Sequence, residues 1–258
     1  MYSDDKSKVT AIVNQKGGVG KSTTAVNLGA ALSRENKSVL LIDIDPQGNA
    51  TSGLGLEKSE LENSIYELLL QEVEFSRVVV ELDKEELSLI PSNIDLAGAQ
   101  IELVSRISRE KRLSQALEGE ISVYDYVLID CPPSLGLLTL NALSAADNII
   151  IPIQCEYYAL EGLGQLLDTI DLVQNNLNPS LTIKGVLLTM FDARTNLSSQ
   201  VSEEVEEYFA SKIYDTVIPR NVRLSEAPSF GETIFSYAPS SRGAKAYQEL
   251  AQEVLANE

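Results

Sequence analysis

The chain has 258 residues, of which 44% are hydrophobic, enough for one large α/β domain with a sizeable core and too apolar for a disordered chain. It contains no histidine, which excludes a Ser-His-Asp triad, a Cys-His dyad and any histidine metal site, and leaves carboxylates, lysines, hydroxyls, backbone N–H groups and a hard metal such as Mg²⁺. A net charge of −18 excludes a surface coated in basic residues, so any nucleic-acid contact has to be a local patch.

The opening residues, Met1 to Lys6, lack the apolar stretch of a secretory signal, and no later apolar run reaches the length of a bilayer span. Val9 to Val13 reads as a buried strand, and Val26, Leu28 and Leu32 have helical spacing. Between them lies Asn14-Gln15-Lys16-Gly17-Gly18-Val19-Gly20-Lys21-Ser22-Thr23. Strand, glycine loop and helix in that order make a phosphate-binding loop credible. The glycines let successive N–H groups curl toward an anion, and a helix starting near Lys21 adds the positive end of its dipole. Lys21 supplies a mobile charge for the β- and γ-phosphates, and the Ser22 hydroxyl is a ligand for Mg²⁺. The general template G-x-x-x-x-G-K-[ST] places a glycine where this chain has Gln15.

Ser38 to Asp43 reads as a second core strand with Asp45-Pro46-Gln47-Gly48 beyond its carboxyl end, where open α/β sheets bind ligands. Asp45 therefore faces whatever the glycine loop holds, or else is a turn aspartate before proline. Residues 57–90 carry ten Asp or Glu against Lys58, Arg77 and Lys84, and read as a solvated outer layer with short helices over Ile65–Leu70 and Phe75–Val80. Leu87 to Ile90 reads as a strand, and Leu96 to Leu117 as one or two helices.

Tyr124 to Asp130 is the clearest buried strand, with Asp130 at its tip ahead of Cys131-Pro132-Pro133-Ser134. An acid at a strand tip beside a phosphate loop is the second half of a Mg²⁺-nucleotide site, binding the metal directly or through water. Cys131 and Cys155 both adjoin apolar strands and read as reduced thiols of a cytosolic protein. Further strands are expected at Asn148–Ile153 and Ile183–Phe191, helices at Tyr158–Leu177, Val201–Phe209 and Gly243–Leu255, and a strand closing into a short helix over Val217–Arg223. With no linker or repeat, this alternation marks a single domain, residues 1–258, in three layers: a mostly parallel twisted sheet with helices on both faces.

Six blocks together resemble the ParA/Soj family of chromosome-partitioning ATPases: K-G-G-V-G-K-S-T at 16–23, I-D-I-D-P-Q-G-N at 42–49, D-C-P-P-S at 130–134, C-E-Y-Y-A-L-E-G at 155–162, D-A-R-T-N at 192–196 and I-P-R-N-V-R-L-S-E-A-P at 218–228. The resemblance covers nearly the whole chain, and Gln15 is typical of this branch. It implies a deviant-Walker-A, P-loop NTPase fold of about seven or eight strands and Mg²⁺-dependent ATP hydrolysis in a sandwich homodimer. Residues 16–23 (Lys16, Gly17, Gly18, Val19, Gly20, Lys21, Ser22 and Thr23) would cradle ATP. Lys16 would reach the partner's phosphates, Asp45 would position the attacking water, and Ser22 and Asp130 would hold Mg²⁺. Pro219 and Asn221 would contact adenine, and Arg194 and Arg223 would bind double-stranded DNA without sequence preference. The resemblance further implies a nucleoid-associated cytoplasmic protein stimulated by a ParB-type partner and, as in some relatives, a part in regulating replication initiation. The runner-up is a membrane-positioning ATPase like MinD, which needs a basic amphipathic C-terminal helix where this chain has an acidic one, so no membrane is expected. A metabolic or redox enzyme on the same fold and a scaffold with negligible turnover are the remaining alternatives.

Overall fold

The computed structural model describes residues 7–156 and 162–257. Its strands are β1 (Lys8–Ile12), β2 (Val39–Asp43), β3 (Val80–Leu82), β4 (Leu87–Ile90), β5 (Tyr126–Asp130), β6 (Asn148–Gln154) and β7 (Thr182–Thr189). They form one seven-stranded sheet in the order β3-β4-β2-β5-β1-β6-β7. The β3–β4 pair is antiparallel and the other neighbours are parallel. After β5 the chain crosses to the far side of β1, so connections leave the middle of the sheet in opposite directions and open a crevice there.

The helices are α1 (Lys21–Arg34), α2 (Asn49–Gly53), α3 (Ile65–Leu70), α4 (Leu96–Glu102), α5 (Arg112–Leu117), α6 (Leu137–Ala145), α7 (Leu163–Asn176), α8 (Asn196–Phe209), α9 (Val222–Glu226), α10 (Ile234–Tyr237) and α11 (Arg242–Ala256). Side chains of a strand alternate between faces, so each central strand feeds two cores. Leu41 and Leu128 join Leu28, Leu32 and Leu250 of α1 and α11. Their neighbours Ile42 and Ile129 join Leu69, Leu143, Leu166 and Val205 on the opposite face. Because β2 and β5 are covered on both faces, they are continuous apolar runs and not alternations.

Register decides what meets at the carboxyl ends. Ile12 pairs with Asp130 across β1–β5, and Asp43 pairs with the same Asp130 across β2–β5. The glycine loop, Asp43 and Asp130 therefore emerge level with one another. Both margins of the sheet are short of exposed ladder. On one side lies the three-residue β3; on the other, the chain past α8 runs beside β7 through single parallel bridges, Val186 to Ile213 and Phe191 to Pro219.

Several boundaries differ from the sequence reading. Phe75–Val80 is not a helix: Phe75–Arg77 is one 3₁₀ turn, after which β-branched Val78 to Val80 lead into β3. Leu96–Leu117, by contrast, gives the second of its two expected forms, α4 and α5 joined by 3₁₀ turns. Val217–Arg223 gives an isolated bridge and no regular strand, since Pro219 lacks the N–H that would extend the ladder. The acidic stretch is not wholly an outer layer, because Ile65, Leu68 and Leu69 are core residues. The expected start of a helix at Tyr158 and most of the 155–162 block lie outside the described residues.

Candidate functional site

β1 delivers the chain, fully buried at Ile12 and Val13, into the loop that ends at α1. Gly18 (φ +75°) and Gly20 (φ +89°) occupy the left-handed region that L side chains rarely adopt. Space is not the reason at Gly18, where an added Cβ would meet nothing within 4 Å. The loop is braced from outside. Asn14 Nδ2 donates to the Pro152 carbonyl (2.7 Å), its Oδ1 accepts the Lys16 N–H (3.0 Å), and Thr189 Oγ1 donates to the Val19 carbonyl (2.8 Å). Such bracing leaves the loop's inward N–H groups preformed for an anion.

Lys21, only 6% exposed, folds back so that Nζ donates to the Lys16 carbonyl at 3.0 Å. Burial lowers its pKa, while the nearby carboxylates of Asp130 and Asp45 act in the opposite sense. Asp130 is completely buried, and neither of its carboxylate oxygens has a hydrogen-bond partner that meets normal geometry. Burial and then the charge of Asp43 push its pKa well above the ordinary carboxylate range, against the pull of the Ser22 hydroxyl and the Lys21 ammonium. With only the Ser22 hydroxyl and the Lys21 ammonium acting on it, and no well-formed hydrogen bond to either oxygen, this buried acid has capacity for a further cation. Among the described residues no group of three or more His, Cys, Asp or Glu forms a metal cage. One carboxylate, one hydroxyl and an adjoining phosphate cradle suit Mg²⁺, which keeps waters and substrate oxygens in its shell. The residues present therefore fit a magnesium nucleotide.

Asp43 is also fully buried, and burial raises its carboxyl to about 6. Unlike Asp130 it is saturated, accepting from Asp45 N–H, Thr51 N–H and Thr51 Oγ1. Asp45, 4% exposed, accepts the Gln47 N–H on its own Oδ1 at 2.9 Å.

A cleft of about 540 Å³ opens beside the loop, and its lining unites Gly20, Ser22 and Thr23 with Pro219 and Asn221. The last two arrive because Phe191 bridges Pro219 and accepts the Arg220 N–H, which lays the 218–223 loop against the end of β7. Asn221 caps α9 with its Oδ1 on the Arg223 N–H. The lining also includes Asn49, Ser52, Thr189 and Met190, which the sequence did not single out. Thr189 ends β7 and Met190 follows it, so the rule that ligands sit at and beyond strand carboxyl ends was the one available signal.

Lys16 is not part of that lining. Its Nζ pairs with Glu156 Oε1 at 2.7 Å, and Gln154 donates to the other oxygen of the same carboxylate at 3.0 Å. Gln15 turns to α7, where its Nε2 donates to Gln165 at 2.7 Å. Arg194 lies in the loop before α8 and Arg223 in the first turn of α9, and neither lines the cleft. Each is held by an acid close in sequence, Arg194 by Asp192 (2.6 Å) and Arg223 by Glu226 (2.7 Å).

Residues 7–183 match a family described as AAA domain. The chain is 62% identical over 250 residues to the sporulation initiation inhibitor protein Soj of Bacillus subtilis, covering 97% of this chain and 99% of that protein. It is 49% identical to the chromosome-partitioning ATPase Soj of Treponema pallidum, covering 97% and 98%. Among solved structures, a Mycobacterium smegmatis protein named cobyrinic acid a,c-diamide synthase, with bound ATP analog and magnesium, superposes with a TM-score of 0.86 at 43% identity, covering 97% of this chain and 95% of that one.

Proposed function

Because the chain belongs to the ParA/Soj family of chromosome-partitioning ATPases, we propose that it is a partitioning ATPase whose nucleotide state switches it between single subunits and a DNA-holding dimer. The observation that carries this is a left-handed glycine loop leading into α1, with the buried Lys21 close to the charges of Asp130 and Asp45, and beside it a cleft lined by Gly20, Ser22, Thr23, Pro219 and Asn221. In this reading residues 1–258 act as one ATPase domain. The N–H groups of residues 17–23 and the Lys21 ammonium bind the phosphates. Ser22 and Asp130 would hold Mg²⁺, which when bound neutralises charge on the β- and γ-phosphate oxygens. Asp45 accepts a hydrogen bond from the attacking water and orients it. Pro219 packs on adenine, and the Asn221 amide reads its edge.

Lys16 reaches the partner subunit's phosphates, doing in trans what an arginine finger does elsewhere. To do so it must exchange Glu156 for phosphate. The closed dimer then presents Arg194 and Arg223 in duplicate to DNA, and a ParB-type partner accelerates hydrolysis and release at the nucleoid. Since ATP prefers the closed form, it shifts the population toward DNA binding. Regulation of replication initiation belongs to the same proposal, as a further output of the switch.

The membrane-positioning alternative meets a structural obstacle. The apolar face of α11, with Tyr247, Leu250 and Val254, is already buried against α1, and no helix among the described residues is long and apolar enough to cross a membrane. The experiment is retention on double-stranded DNA with ATP and with ADP. Retention is expected with ATP only, weakened steeply by salt, and lost in Lys16→Ala and Arg223→Ala. Equal retention with both nucleotides refutes the switch, and wild-type binding by Arg223→Ala refutes the arginine patch.

A further inference from the structure

We propose that Thr51 and Ser92 are positioning residues for ATP hydrolysis, which with Asp43 fix the backbone from which the Asp45 carboxylate projects. The inference rests on the reading of Asp45 as the group that orients the attacking water. Both main-chain polar groups of Asp45 are held by side chains. Its N–H donates to Asp43 Oδ1 at 3.1 Å, and its carbonyl accepts from Ser92 Oγ at 2.7 Å.

Thr51 ties these two clamps together. Its Oγ1 donates to Asp43 Oδ2 at 2.7 Å and accepts the Ser92 N–H at 2.9 Å, while its own N–H donates to Asp43 Oδ2 at 2.9 Å. One hydroxyl thus touches both the residue that grips the Asp45 amide and the residue that grips its carbonyl. Asp43, Thr51 and Ser92 are each 0% exposed, and none of them lines the nucleotide cleft. Fully buried, they act on chemistry through the groups they hold, and the backbone they clamp is that of Asp45. The bonds to the Asp43 carboxylate are charge-assisted and directional, which suits them to holding one geometry.

Gly48 shows how little slack the arrangement has. It sits at φ +59°, and a Cβ there would lie 2.9 Å from the Ser92 carbonyl. The loop carrying Asp45 is therefore pressed against the segment after β4 as well as bonded to it. A shift of about 1 Å in a group that orients a nucleophile costs about 100-fold in rate, so loss of the hydroxyl is a kinetic lesion before it is a binding one.

The test compares wild type with Thr51→Val, Thr51→Ser, Ser92→Ala and Asp45→Ala in the full chain, reading kcat, ATP affinity and thermal midpoint. Thr51→Val, which keeps shape and loses the hydroxyl, is expected to lower kcat by about 10- to 100-fold with ATP affinity within about twofold of wild type. Thr51→Ser restores the hydroxyl and kcat with it. Ser92→Ala lowers kcat by a smaller factor without loss of affinity, and carries the test if Thr51→Val does not fold. Wild-type turnover by Thr51→Val or Ser92→Ala, with Asp45→Ala inactive, overturns this proposal alone. Loss of affinity in step with turnover also overturns it, as that would be a general structural defect. Wild-type turnover by Asp45→Ala removes the reading beneath it.

Discussion

A carboxylate with both oxygens orphaned in a protein interior is an electrostatic liability to the free chain. Asp130 is therefore expected to cost stability when no nucleotide or metal is present. In EDTA without nucleotide, Asp130→Asn should raise the unfolding free energy by about 1–3 kcal/mol, read from the urea midpoint, and in magnesium it should abolish ATP turnover. A destabilised Asp130→Asn in EDTA would mean the acid has a structural partner. The two cysteines make a second residue-level case. Burial pushes the Cys155 thiol up to about 11, and burial with the charge of Asp130 pushes Cys131 well above its usual range. A raised pKa means less thiolate at pH 8, and thiolate is the reactive form. The native chain should release negligible thionitrobenzoate from Ellman's reagent over the period in which the unfolded chain releases that of both thiols. Lys21, Ser22 and Asp130 were legible in the sequence because spacing and strand ends announce them. The pairing of Lys16 with Glu156 was not, since nothing local links positions 140 residues apart. Thr51 and Ser92 were equally invisible, as their importance lies only in what they touch.

At the scale of elements, legibility followed periodicity. β2, β4 and β5 and helix α3 stood out as apolar runs or helical spacing bounded by turns. α6 (Leu-Leu-Thr-Leu-Asn-Ala-Leu-Ser-Ala) did not, because it is apolar nearly all round and has no helical stripe to read. β3 was hidden because three residues are too few to show alternation. α3 carries its own start signal, Ser64-Ile65-Tyr66-Glu67, and the structure realises it as a capping box. Glu67 accepts from both Ser64 N–H (2.7 Å) and Ser64 Oγ (2.9 Å), and Ser64 Oγ accepts the Tyr66 N–H at 3.2 Å. Since Ser64 is fully buried, no water can replace it. Ser64→Ala should lower stability by about 1–2 kcal/mol in urea unfolding, with ATP affinity unchanged. An unaltered midpoint would show that packing of Ile65 and Leu69 alone holds the helix.

For the molecule as a whole, charge and topology set the terms of assembly. A net charge of −18 makes two subunits repel at long range, so the proposed dimer needs short-range attraction of the kind Lys16 on the partner subunit's phosphates would provide. Light scattering should give the mass of one subunit with ADP and of two with ATP in Asp45→Ala, where hydrolysis is blocked. A single-subunit mass in both would rule out the sandwich. The fold itself, three layers around a mostly parallel sheet, was readable from the strand–helix alternation, whereas the strand order was not, because β5 inserts between β1 and β2 from far along the chain. Short flanks have a last consequence. With only three residues in β3 on one side and the 213–219 segment alongside β7 on the other, a second molecule finds little length of edge on which to extend the hydrogen-bonded ribbon. That discourages fibrous growth, which matters for a chain proposed to gather on DNA. In the proposed switch self-recognition falls instead to the loop-bearing end, whose grip would last only as long as its fuel.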